Sequence, residues 1–182
     1  MQSRGPAAPA GEAGPLDEET HARVLDHQTS GLIQGISEKG LHLVRMRAPA
    51  SGSRHAPGTS LELESVNVLG TTRHRDLSSM AHAELQEVVK GILTDHPEVC
   101  LAFYNRAGNL TLKKHAFTLL PGIGDSKAMA MVQARGRTGW EAIEALDADC
   151  QIDAAQLLSE RLCSEIVDRH MTPNLLDLLI RA

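Results

Sequence analysis

The chain has 182 residues, 42% of them hydrophobic and 23% charged, which suits one globular domain or two small ones with an ordinary buried core. Its net charge of −5 excludes a uniformly basic nucleic-acid binder, and three widely spaced cysteines (Cys100, Cys150, Cys163) exclude a zinc knuckle or a paired redox motif. No apolar run approaches the roughly 20 residues that cross a bilayer, and the opening residues lack a basic-then-apolar leader, so a reducing cytoplasmic setting without membrane association is expected.

Residues 1–20, rich in Ala, Gly, Pro and Glu, bury too little apolar surface to offset the entropy of ordering and read as a disordered lead-in. From His21 to Asp76 the texture is β-like. The runs HARVLDHQ, GLIQGIS, GLHLVRMRA and SLELESVNVLG alternate in part with period two, and Gly and Pro punctuate them. Four or five short strands closing into a small barrel over 21–76 are predicted.

Helical spacing takes over beyond Arg75. Ser78 or Ser79 caps a helix whose Leu85, Val88, Val89, Ile92 and Leu93 recur at three and four, and Pro97 interrupts it. VCLAFYNRAGN reads as a second helix closing at Gly108. LTLKKHAFTLL and DSKAMAMVQARGR read as a tight helix pair, and TGWEAIEALDADC and IDAAQLLSERLCSEIVDRH complete a helical unit over 77–171. A short tail, 172–182, follows. The fold class is α+β: a small barrel, then an all-helical domain.

Charge is unevenly placed. Residues 73–139 carry nine Lys/Arg against six Asp/Glu, whereas 140–182 carry three against nine. The basic middle centres on LLPGIGDSKA. There Pro121 cannot continue a helix, Gly122 and Gly124 accept unusual backbone angles, Ile123 can plug into the core, and the helix that follows offers unpaired amides to an anion. Lys127 sits in the first turn of that helix. Asp125 is the one acid beside it and opposes a phosphate unless its carboxylate turns away.

The string leucine-proline-glycine-isoleucine-glycine with Ala128 four residues on resembles the helix-hairpin-helix motif of DNA repair enzymes, ligases and some ribosomal proteins. The longer run from Leu77 to Arg135 resembles an archaeal-type family of domains of unknown function, number six-five-five, described as candidate RNA-binding proteins. The resemblance is densest over 76–135, extends to Arg169 and fades before Arg73. It implies an OB-like barrel ahead of a helix-hairpin-helix region, and it matches the family's asparagine-arginine-alanine-glycine element to Asn105, Arg106, Ala107 and Gly108. Asp125 and the acidic 140–182 region depart from the more basic pattern the resemblance implies. The second hairpin expected of such a domain falls near LDADCQID, where three acids and no glycine point to a structural turn only.

The expected nucleic-acid-binding residues are therefore Pro121, Gly122, Ile123, Gly124, Lys127, Asn105, Arg106, Lys113, Lys114 and Arg135, with RNA the expected partner and DNA the alternative. Arg106 equally fits a helix terminus whose last carbonyls it satisfies, and the Lys113–Lys114 pair equally fits a solvated face. Arg45 and Arg47, two apart on a strand, form with Arg73 and Arg75 a further basic surface, though one without aromatic rings for stacking on bases. The nine histidines lack ligand spacing, and no phosphate loop, nucleophile elbow or poised carboxylate pair is present. Neither metal, cofactor nor catalysis is expected. The competing reading is a protein–protein adaptor whose acidic 140–182 face docks a basic partner.

Overall fold

A computed structural model describes residues 13–182. Five strands lead the chain: β1 (His21–His27), β2 (Leu32–Ser37), β3 (Leu43–Arg47), β4 (Ser60–Glu62) and β5 (Asn67–Thr71). They form one antiparallel sheet in the order β4-β1-β2-β3-β5. The expected closure into a barrel is corrected: β4 and β5 lie at opposite edges and the ladder is open. The two edge strands are nevertheless halves of one segment, bent by a single 3-10 turn at Leu63–Ser65. One half borders β1, the other β3.

β1 serves two cores. Its consecutive apolar residues Val24 and Leu25 face opposite ways, as alternation along a strand requires, and a bulge leaves Leu25 extra where pairing with β2 passes from Val24 to Asp26. Val24 joins Ala22, Ile33, Val44, Met46, Leu61 and Leu63 in the cluster belonging to the sheet. Leu25, with Ile36, Leu41 and Leu43, faces the helices.

Five helices follow: α1 (Ser79–Asp95), α2 (Pro97–Arg106), α3 (Asp125–Arg135), α4 (Ile143–Cys150) and α5 (Ala154–Val167). The Ser78 hydroxyl accepts from the Ala81 amide at 3.1 Å and caps α1, as its sequence predicts, while also donating to Asp26 on β1. Pro97 opens α2, where its missing N–H costs nothing. Leu85, Val88, Val89, Ile92 and Leu93 on α1 are buried against the sheet and α5. The tail folds back: Glu165, fully buried, accepts from Arg161 at 2.7 Å and from the Leu176 amide at 2.9 Å. Arg181 reaches the Gly40 and Leu41 carbonyls at the β2–β3 turn.

Two sequence expectations are corrected locally. Of the lead-in, residues 1–12 lie outside the described residues, but 13–20 are held in place. Glu19 accepts from the Lys39 and Gly40 amides, and Leu16 packs on the sheet cluster. LTLKKHAFTLL is not a helix: residues 109–115 form a small finger joined by an Asn109–His115 bridge, and Ala116–Leu119 is a 3-10 turn. The Thr111 hydroxyl accepts from the Lys113 and Lys114 amides, and Leu110 N donates to the Lys114 carbonyl at 2.7 Å. These bonds compete with helix formation.

Candidate nucleic-acid interface

The turn from Leu120 to Gly124 is closed by the Ile123 amide donating to the Leu120 carbonyl at 3.2 Å. Gly122 has φ +75°, a conformation that disfavours any side chain. Ile123 packs on the helical core, whereas Pro121, Gly122 and Gly124 are exposed. A methyl group built on Gly122 or Gly124 meets nothing within 4 Å, so the turn is open to an approaching ligand. Gly124 is the N-cap of α3 and supplies no side-chain acceptor. The first intrahelical bond runs from Ala128 N to Gly124 O at 2.9 Å, which leaves the amides of Asp125, Ser126 and Lys127 without helical partners.

The finger at 109–115 stands beside this helix end. Lys114 Nζ lies 3.8 Å from Asp125 Oδ1, so the one acid at the head of α3 is turned toward a cation. Lys113 and Leu112 are exposed at the finger's tip. His115 closes its base, its Nδ1 accepting from the Phe117 amide at 3.1 Å. Burial, then the Arg135 charge, lowers the pKa of His115 and favours the neutral ring that this bond requires.

Three of the expected ligands have partners within the fold. The Lys127 ammonium donates to the Cys150 carbonyl at the end of α4, where a cation meets the negative end of the helix. Arg135 donates to the carbonyls of Ala107 at 2.7 Å, Tyr104 at 3.0 Å and Asn105 at 3.4 Å, with its guanidinium 5.5 Å from the Phe117 ring centre. It, rather than Arg106, satisfies the last carbonyls of α2. The Asn105 amide clasps the backbone of Trp140, donating to its carbonyl at 2.8 Å and accepting from its amide at 2.9 Å. Gly139, at φ +72°, allows that clasp, since a Cβ there would lie 2.6 Å from Asn105 Oδ1. Asn105 and Arg135 therefore hold the helices together, Lys127 does so while also lining the hollow beside the glycine turn, and Arg106, Lys113 and Lys114 are exposed.

The sequence matches the family described as "Protein of unknown function (DUF655)" over residues 17–175. The chain belongs to this family. The crystal structure of Af1531 from Archaeoglobus fulgidus, which carries the same family label, is similar with a TM-score of 0.78 at 21% identity, covering 87% of this chain and 99% of that one. No curated protein matches the sequence significantly. The likeness to Af1531 extends the fold, and the fold alone, across nearly that whole protein.

In this DUF655 chain the second helix junction, between α4 and α5, lies beside the first: Gln151, Ile152 and Asp153 border the same surface hollow as Pro121, Gly122 and Ile123. Gln151 takes the left-handed conformation at φ +52°. Asp153 caps α5 through the Gln156 amide at 3.0 Å and pairs with Lys90 at 2.7 Å. Burial opposes its ionisation, yet the Lys90 and Gln156 contacts outweigh burial and hold its carboxyl below the usual range. Asp147 accepts from the Ala154 amide and Asp149 from the Trp140 indole. Asp147, Asp149 and Asp153 are thus each engaged with a partner of the same chain, although Asp149 and Asp153 stay exposed.

One cleft was not visible in the sequence. About 370 Å³ in volume, it lies between the sheet, α1, α2 and the tail, with Glu38, His96 and Glu98 on its wall. His96 stands 3.6 Å from Glu38 and 3.4 Å from Glu98. Burial would raise the Glu38 pKa, but Ser60, Arg23 and His96 together keep it below its ordinary value, so this carboxylate is a fixed anion and not a poised acid. Among the described residues no group of three or more His, Cys, Asp or Glu is placed to hold a metal, and no helix is long and apolar enough to cross a membrane.

Proposed function

We propose that this protein binds nucleic acid, RNA in the first instance, without catalysis, by seating a backbone phosphate on the glycine turn at the head of α3. In this reading the turn plays the part of a helix-hairpin-helix motif and the sheet that of an OB-like barrel. The observation that carries it is the open turn running into an uncapped helix end whose acid, Asp125, faces Lys114. Unpaired amides and the positive end of the helix favour an anion there. Lys113, Lys114 and Arg106 supply the surrounding charge. The rings of Phe103, Tyr104, Phe117 and Trp140 are buried, so contact rests on phosphates, not on base stacking, and sequence independence follows. The adaptor reading has less in its favour, because Asp147 and Asp153 already accept from amides at the head of α5, Asp149 from the Trp140 indole, and Glu165 pairs with Arg161.

Gly124→Asp tests the proposal through two effects of opposite sign. Gly124 has φ −86°, which any residue adopts. An N-cap aspartate gains a few tenths of a kcal/mol over glycine, and so raises the melting temperature by about 1 °C, while placing a negative charge where the phosphate is to sit. RNA affinity measured by fluorescence anisotropy is expected to fall at least about tenfold. Wild-type affinity in the folded variant would refute the turn as the contact.

A further inference from the structure

A second basic groove lies at the seam between the sheet and the helices. Its wall includes Gln34 of β2, Arg45 of β3, Thr71 at the end of β5, Thr72 and Arg73 after it, Asp76, whose carboxylate lies 3.9 Å from Arg75, and Arg169 beyond α5. Three arginines far apart in the chain thus meet around one space of about 520 Å³. All three are exposed, and among the described residues none of their guanidiniums has a hydrogen bond or ion pair, whereas nearby Arg47 donates to the Ser30 carbonyl and Arg75 lies against Asp76. The groove is built, not incidental. Gln34, buried at 4% exposure, uses both ends of its amide to hold the far wall, donating to the Asp76 carbonyl at 3.1 Å and accepting from the Ser78 amide at 2.7 Å. The Thr72 amide donates to the Leu43 carbonyl at 2.9 Å and fixes the approach to Arg73. A neighbouring hollow shares Thr71, Thr72 and Arg169 and adds His42 and Arg181, with Glu165 and Asp177 also on its wall. Glu165 is fully buried and bonded to Arg161, and Asp177 lies 3.9 Å from Arg181.

We infer that this seam groove is a second phosphate-backbone site for single-stranded RNA. Three unpaired guanidiniums offer forked donors to phosphate oxygens and flat faces to bases, in a place where no aromatic ring is available. An acidic peptide would share the charge but gains little from the fork spacing, and the groove's wall holds only Leu32 as a large apolar contact for its side chains. The inference rests on the RNA reading above but not on the glycine turn. The two sites sit at opposite ends of α5: Asp153, Gln156 and Leu157 border the turn, Arg169 just beyond the helix borders the seam, and Glu165 and Ile166 border the hollow next to it. Fourteen residues at a rise of about 1.5 Å separate them by about 20 Å, so a strand must span at least that distance to touch both. A four-nucleotide strand engages one site; a fifteen-nucleotide strand reaches both and gains from their linkage.

The experiment compares oligouridines of four and fifteen nucleotides by anisotropy over a salt series, using the full chain, the triple variant Arg45→Ala/Arg73→Ala/Arg169→Ala, and Gly124→Asp. The three replaced side chains hold nothing else in place, so circular dichroism and melting should match wild type. The triple variant is expected to bind the fifteen-mer at least about tenfold more weakly, with a salt slope smaller by about 0.7 for each phosphate no longer neutralised, and to forgo the advantage of the longer strand. A folded triple variant with wild-type affinity and slope overturns the seam site, and if Gly124→Asp is then defective the turn survives alone. Weaker binding by the triple variant with none in Gly124→Asp leaves the seam standing and removes the turn. Wild type that binds neither strand at low salt overturns both. Displacement of the RNA by oligoglutamate of equal charge at equal concentration overturns the phosphate assignment in favour of an acidic protein.

Discussion

Replacing Arg135 with methionine separates a structural cation from a phosphate ligand, because the two roles predict opposite patterns. The guanidinium donates to three carbonyls at the end of α2, one at 2.7 Å, one at 3.0 Å and one, weaker, at 3.4 Å. A hydrogen bond involving a charged group contributes about 1.5–3 kcal/mol, and partial access of water to these carbonyls returns some of that on mutation. Stacking on the Phe117 ring at 5.5 Å contributes about 0.5–1 kcal/mol, much of it kept by the methionine stem. A net loss of about 3 kcal/mol follows, and at about 2–4 °C per kcal/mol for a chain of this size the melting temperature should drop by about 6–12 °C. Arg135→Lys keeps the charge without the fork and should fall between the two. Thermal melting followed by circular dichroism measures the first effect, and anisotropy on the folded protein should find RNA affinity nearly unchanged. Stability within about 0.5 kcal/mol of wild type, combined with abolished RNA binding, would refute the reasoning and return Arg135 to the interface.

Stability should fall as pH drops from about 7.5 to 5.5. Burial lowers the pKa of His27, His42, His74 and His115. Below about 6.5 the unfolded chain therefore takes up protons that the folded chain refuses. Glu38 and Asp153, held below their ordinary values, add a second loss at more acidic pH as they protonate; a melting temperature that rises between pH 7.5 and 5.5 would contradict this account. Burial first, then nearby carboxylates, push the Cys100 and Cys163 thiols up to about 12, and burial also raises Cys150. All three are buried and free, so thiol reagents at pH 8 should label the protein only in denaturant, and rapid labelling of the native form would show an open route to one of them.

The order of sheet then helices was legible because its signals are local: the Ser78 cap, the three-and-four spacing through Leu93, and Pro97 at the head of α2 each act within a turn or two of chain. The finger at 109–115 was not, since the bonds that displace a helix depend on the Thr111 hydroxyl and on closure from Ala116 to Gly108. Charge was the least transparent property. Lys127 and Arg135 look like phosphate ligands in the sequence, yet their acceptors lie at the ends of α4 and α2, far along the chain, and no period in the sequence links them. Arg169 was silent for the same reason: only the packing of α5 brings it opposite Arg45 and Arg73. Asp153, by contrast, is an ordinary N-cap three residues before Gln156, so at least one of the acids counted toward a free face could have been assigned locally.

The segment 60–71, bent at Leu63–Ser65, works as a clasp. Because its two halves guard β1 and β3 together, a molecule that loosens the bend exposes both margins of the sheet at once, and one that keeps it offers only a three-residue strand on one side and an irregularly paired strand on the other. Short or distorted margins are poor templates for a foreign strand. One joint in the chain, at Leu63–Ser65, thus lies between the two margins at which a foreign strand could add.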